Sequence, residues 1–135
     1  IQAAERLDAL PRAPRVRIWA APDTGWNRAN VWAPELLAFG DRWYVYYAAS
    51  RTPGSPFTGQ RTGVLRSRTA DPLGAWDDLG PLYTGDGAPP PGAPSDSGNV
   101  WAIDMTVGEV GGRLYAVWSG WERNAPTDKT VQHLY

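Results

Sequence analysis

The chain has 135 residues, a formal net charge of −1, 42% hydrophobic residues and 20% charged ones. That balance can build a packed core and excludes compositional disorder. The mixed signs exclude the basic face of a nucleic-acid binder, and no apolar run is long enough for a membrane-spanning helix.

Cysteine is absent, so there is neither a disulfide framework nor a thiolate metal site. The 15 Gly and 13 Pro imply many turns and little helix. With 8 Trp and 6 Tyr against 2 Phe, the aromatics mostly carry a polar handle. Such residues fill cores, and on turn-rich β scaffolds they also stack on the C–H faces of sugars.

In chain order, residues 15–19 (RVRIW) alternate polar and apolar, which predicts a half-buried strand. Residues 35–39 and 42–49 (RWYVYYAA) are two β-rich runs around Gly40 and Asp41, the pattern of a tight hairpin. Residues 62–67 (TGVLRS) predict a third strand and 76–82 a short fourth, completing an antiparallel meander. The Pro- and Gly-rich stretch 83–99 cannot form a strand, because proline removes ladder donors.

The pattern then restarts. Residues 106–110 and 113–119 (RLYAVWS) predict a second hairpin around Gly111 and Gly112, and 130–135 (TVQHLY) a following strand. Position 42 aligns with position 113, an offset of 71, and Gly40 with Gly111 at the same offset. A repeated four-stranded antiparallel unit points to a β-propeller. The offset exceeds the usual ~40–50 residues per blade, and the loop 83–99 accounts for the excess.

Strand direction then sorts the connections onto two ends. The two glycine hairpins lie at one end. The loops 51–60, 83–99 and 120–129 lie at the other, beside the starts of the innermost strands, where a site is expected. The offset sets Ala33 against Asp104 and Trp32 against Ile103, so Asp104 is expected at the channel mouth. Walled by Trp101, Ile103 and Met105, its carboxylate would be partly desolvated and able to shift a neighbour's pKa. Taken alone, an aspartate there more often caps a turn.

Asn30-Val31-Trp32-Ala33-Pro34-Glu35-Leu36, followed by residues 40–49, resembles the second blade of family 43 glycoside hydrolases, with its N-x-W-A-P-E-L and G-K-W-Y-I-Y-x-A-A runs. Asp71-Pro72-Leu73-Gly74-Ala75-Trp76 resembles that blade's D-P-L-G-P-W. Trp101-Ala102-Ile103-Asp104 with residues 112–122 resembles the third blade, W-A-I-D-G-T-V and G-K-L-Y-F-V-W-S-G-W-E. Each motif is weak alone; their order and spacing over most of the chain are specific.

The resemblance implies an all-β, five-bladed β-propeller of four-stranded antiparallel blades. The chain would be a fragment of about two blades with parts of their neighbours: 1–29 the end of blade one, 30–83 blade two, 84–99 a loop and 100–135 a truncated blade three. It implies an inverting glycosidase with three acids: an Asp on blade one that activates water, a Glu on blade four that protonates the leaving oxygen, and an Asp on blade three that raises and orients that Glu. Asp104 matches the third; the other two lie outside the chain. Asp8 and Asp23 do not match the base motif, nor Glu109 and Glu122 the acid motif. Trp32, Ala33, Ile103 and Trp101 match the walls of the sugar subsite. Glu35 is expected to turn away from the sugar into blade-to-blade hydrogen bonds. Met105 stands where the family has a small residue and is expected to narrow the pocket or shift Asp104.

The expected function is release of α-L-arabinofuranose from arabinan or arabinoxylan. The alternatives are a β-xylosidase of the same family and a non-catalytic carbohydrate-binding propeller. The expected partner is an oligo- or polysaccharide, with no nucleic acid, no membrane, no required cofactor and no metal at the site; a structural channel ion is compatible with the fold. His133, the single histidine, lacks metal-ligand neighbours in sequence. An extracellular location is expected, although no signal is visible; the chain opens at Ile1, and the composition also suits the cytosol. Two blades alone leave open edges, so these residues by themselves are expected to be inactive and poorly soluble.

Overall fold

The computed structural model describes residues 1–54, 59–85, 98–123 and 131–135. Apart from one short 3-10 helix, the regular structure among the described residues is all β. A short 3-10 helix at Leu7–Arg12 is followed by β1 (Ala29–Phe39), β2 (Arg42–Ser50), β3 (Arg61–Ser67), β4 (Trp76–Pro81), β5 (Ala102–Val110), β6 (Arg113–Gly120) and β7 (His133–Leu134). They form a four-stranded sheet in the order β1-β2-β3-β4 and a three-stranded sheet in the order β5-β6-β7, with all pairings antiparallel. Sequence order equals spatial order in both, as the two predicted meanders require. No described helix is long and apolar enough to cross a membrane.

The repeat is visible in the backbone. Gly40 and Gly111 both have φ 59°, a conformation that admits glycine without steric cost, and each opens the hairpin of its sheet. The hairpins are longer than the apolar runs suggest. β1 reaches back to Ala29 and β5 to Ala102, across residues whose alternation is broken by bulges.

The core lies on both faces of the first sheet. Val45, Tyr47 and Ala49 alternate along β2 and meet Leu65 on one face, where Ile18, Trp19, Trp26 and Trp76 pack over them. The Trp19 ring lies 5.0 Å and the Trp26 ring 6.0 Å from Tyr47. Gly63 makes this contact possible: a Cβ there would lie 2.5 Å from a Trp26 ring carbon and 2.6 Å from Tyr47. Buried Asn27 anchors the covering segment by donating from Nδ2 to the Tyr47 hydroxyl at 2.8 Å and to Asp78 Oδ2 at 2.9 Å. β5, the first strand of the second sheet, packs against β1, β2 and β3.

Two expectations change. Residues 15–19 are not a strand. Their alternation reflects Ile18 and Trp19 docking on the first sheet; ladder bonding is limited to a reciprocal pair between Ile1 and Val16, at 2.7 and 2.8 Å. The final strand shortens from 130–135 to His133–Leu134. Most of the predicted connections, at 55–58, 86–97 and 124–130, lies outside the described residues.

Candidate functional site at the starts of the inner strands

Asp104 sits where the β5–β6 ladder breaks. Ile103 pairs with Ser119 and Thr106 with Val117, and the irregularity between them holds Asp104 at φ 54°. β1 has the equivalent break. Trp32 pairs with Ala48 and Glu35 with Tyr46, and Ala33 between them has φ 46°. Left-handed φ costs a non-glycine residue roughly 1–2 kcal/mol, less for aspartate, whose short polar side chain tolerates it. Bulges re-aim side chains beside active sites, and such outliers concentrate there. The offset of 71 therefore pairs two residues of the same unusual backbone geometry, of which one carries a carboxylate.

The bulge sorts the side chains of β5. Asp104, Thr106 and Gly108 are exposed, whereas Met105 and Val107 are buried. Met105, 2% exposed, faces the packed interior and does not narrow the opening around Asp104, contrary to expectation. The expected apolar wall is also reduced, because Asp104 is exposed and, of the three residues named for it, Ile103 alone is half-buried. Trp101 is 3% exposed and its ring stacks on Trp121 at 4.6 Å, so it offers no open face to a sugar and belongs to the core. Trp32 is half-buried and Ala33 exposed at the start of β1.

The two inner strands are tied just beyond these residues. Thr106 Oγ1 donates to Glu35 Oε1 at 3.1 Å. Glu35 follows Ala33 by two residues and Thr106 follows Asp104 by two, so the bond joins equivalent positions of the two sheets, as expected for Glu35. Trp32, Ala33, Ile103 and Asp104 thus lie on adjacent strand starts held at one spacing.

The other acids lie elsewhere. Glu109 pairs opposite Leu114 at the hairpin end of β5. Asp8 is engaged by Arg6 at 3.0 Å on the surface, and Asp23 is exposed. Glu122, exposed beyond β6, borders an aromatic cleft of about 340 Å³ with Trp118, Trp121 and Tyr135. His133 is exposed, its ring 6.0 Å from Tyr135. Among the described residues no group of three or more His, Asp or Glu could hold a metal ion.

Sequence reasoning misses the polar network behind the site, of which only Asn30 stands in a motif. Asn30, at φ 51°, donates to Ser50 Oγ at 2.7 Å and to the Thr52 carbonyl at 3.0 Å. Buried Gln60 donates from Nε2 to the Asn30 carbonyl at 3.2 Å. Asn30 opens the family motif, but Ser50 and Gln60 beside loops carry no periodicity, so nothing in the pattern marks them.

The profile of the glycosyl hydrolases family 43 matches residues 1–135. The chain is 33% identical over 132 residues to an extracellular exo-α-(1→5)-L-arabinofuranosidase of Streptomyces avermitilis, covering 97% of this chain and 24% of that protein. It is 32% identical over 120 residues to the enzyme of the same name from Streptomyces chartreusis, covering 88% and 32%. The crystal structure of an α-L-arabinofuranosidase from Lactobacillus brevis superposes with a TM-score of 0.76 at 27% identity, over 99% of this chain and 39% of that one. The chain thus spans about a quarter to a third of the curated relatives it matches.

Proposed function

This chain belongs to glycosyl hydrolase family 43, and on that premise we propose that the protein releases α-L-arabinofuranose from arabinan or arabinoxylan by inversion, with Asp104 tuning the general acid. The observation that carries the reading is the left-handed aspartate at the bulge of an innermost propeller strand, exposed at the end where that strand starts. The arabinose preference rests on the relatives, all named arabinofuranosidases. The two named extracellular support a secreted protein.

Each residue then has a physical task. The Asp104 carboxylate, placed near the proton-donating acid, disfavours that acid's ionisation and keeps its proton available at working pH. Inversion needs base and acid roughly 6.5–9.5 Å apart so that a water fits between them. Ala33, with the same backbone geometry as Asp104 but only a Cβ, adds no bulk at the equivalent position of the first sheet. Trp32 and Ile103, both half-buried, supply apolar wall.

The test is Asp104→Asn in the full-length protein, assayed on aryl α-L-arabinofuranoside and aryl β-xyloside. Asparagine also tolerates left-handed φ, so the change removes charge without adding strain. Turnover of the arabinofuranoside is expected to fall about 100-fold, in the range of acid–base contributions, with an unchanged melting temperature. Undiminished turnover would defeat the role of Asp104, and preference for the xyloside would reassign the substrate.

A further inference from the structure

Polar residues occupy the interior where the chain enters β3. Gln60 and Thr62 are 0% and 1% exposed, and both reach across to the inner strands. Ala102, which precedes Asp104 by two residues, is held at both ends: its N–H donates to the Gln60 carbonyl at 3.3 Å, and its carbonyl accepts from Thr62 Oγ1 at 3.3 Å. The Gln60 side chain reaches the other inner strand, donating to the carbonyl of Asn30, three residues before Ala33. Thr62 pairs with Ala48 and Ala48 with Trp32, so the contact to Ala102 lies on the cross-strand row that carries Trp32.

From this arrangement we infer that Thr62 and Gln60 are positioning residues, a polar clamp that sets Asp104 and the Trp32–Ala33 wall in one frame. The inference rests on the reading of Asp104 given above. Nothing in general packing demands these residues. Gln60 Oε1 is buried without a partner among the described residues, a cost of about 1–3 kcal/mol that a leucine would avoid. Left-handed residues at a bulge persist only when their surroundings over-determine them. The clamp acts just before the β5 bulge and, in β1, within the irregularity between Ala29 and Trp32 that precedes the one holding Ala33. Misplacing a reacting group by about 1 Å from a distant mutation can cost about 100-fold in rate.

The two arms have different kinetic signatures. Thr62→Val keeps the shape and removes the donor to Ala102. In the full-length protein, with an aryl α-L-arabinofuranoside, its kcat is expected to fall about 10-fold with KM within about two-fold. Thr62→Ser is expected to restore kcat, and Thr62→Val is expected to add no loss in an Asp104→Asn background. Gln60→Leu removes the donor to Asn30, on the sugar-wall side. It is expected to raise KM about 5-fold with the smaller effect on kcat, and it provides the measurement if Thr62→Val does not fold. Wild-type kinetics in both single variants, or parallel changes in kcat and KM that track a lowered melting temperature, would overturn the clamp. Full turnover by Asp104→Asn would instead overturn the parent reading and the Thr62 arm with it.

Discussion

The two hairpins share a turn geometry and a repeat offset, yet they sit in opposite environments. In the first sheet β2 is covered on both faces, and Val45, Tyr47, Ala48 and Ala49 are buried. In the second sheet the equivalent strand β6 shows solvent Leu114, Tyr115 at 50% and Val117 at 46% exposure. The difference teaches that the local pattern specifies the hairpin, while burial is set by what packs on it. For the first sheet the covering elements are the segment bearing Trp19 and Trp26 on one face and β5 on the other. The second sheet carries the acid, and the first supplies the rigid body against which the acid is placed.

The contrast breaks most sharply at glycines. Gly63→Ala would drive a Cβ to 2.5 Å from Trp26 and 2.6 Å from Tyr47. Overpacking of that kind is expected to cost about 3 kcal/mol. Gly108→Ala in β5 meets nothing within 4 Å and is expected to be neutral or to stabilise by about 0.5 kcal/mol. Denaturant midpoints of the two variants decide this. Equal effects would show that the two strands are equally covered.

A smaller effect sharpens the same point. Val45→Ala removes two methyl groups from a closed core and is expected to cost about 1–2 kcal/mol. Val117→Ala, on a strand that these 135 residues leave uncovered, is expected to cost less than about 0.5 kcal/mol in the 135-residue chain by itself. If Val117→Ala proved as costly as Val45→Ala, β6 would be covered in solution.

The smallest effect is alkaline. Burial, and secondarily the Asp78 charge, pushes the Tyr47 hydroxyl above its ordinary value of 10.0, while the Asn27 hydrogen bond opposes this. The folded pKa is thus raised above the unfolded one. The stabilisation is complete below about pH 10 and is lost as pH rises through the folded value. The melting temperature is expected to decline above about pH 10, and Tyr47→Phe to flatten that decline. An identical slope in the variant would remove Tyr47 as the cause.

Much of this architecture was legible. Gly40 and Gly111 fix the hairpins, and the offset of 71 sets Ala33 against Asp104 from sequence alone. The left-handed backbone of that pair was not legible, because alanine gives no sign of it. Alternation in 15–19 misled because docking one face on a sheet gives the same period as joining a ladder. Motif position sets Trp101 at the sugar, yet the hydrophobic effect places it against Trp121; a motif does not tell which side chains are covered. Thr62 and Gln60 escaped notice because their role depends on contacts 40 or 30 residues away in sequence.

The bond from Thr106 to Glu35 joins the same position of successive units. Such a contact is head-to-tail, not mutual, and its repetition generates a ring where the rotation closes. The arrangement therefore has a handed sense around its axis. At this junction the threonine hydroxyl supplies the proton and the glutamate carboxyl oxygen accepts it. Exact duplication would have placed the same residue at both positions; here they differ, so this junction pairs a hydroxyl donor with a carboxylate acceptor.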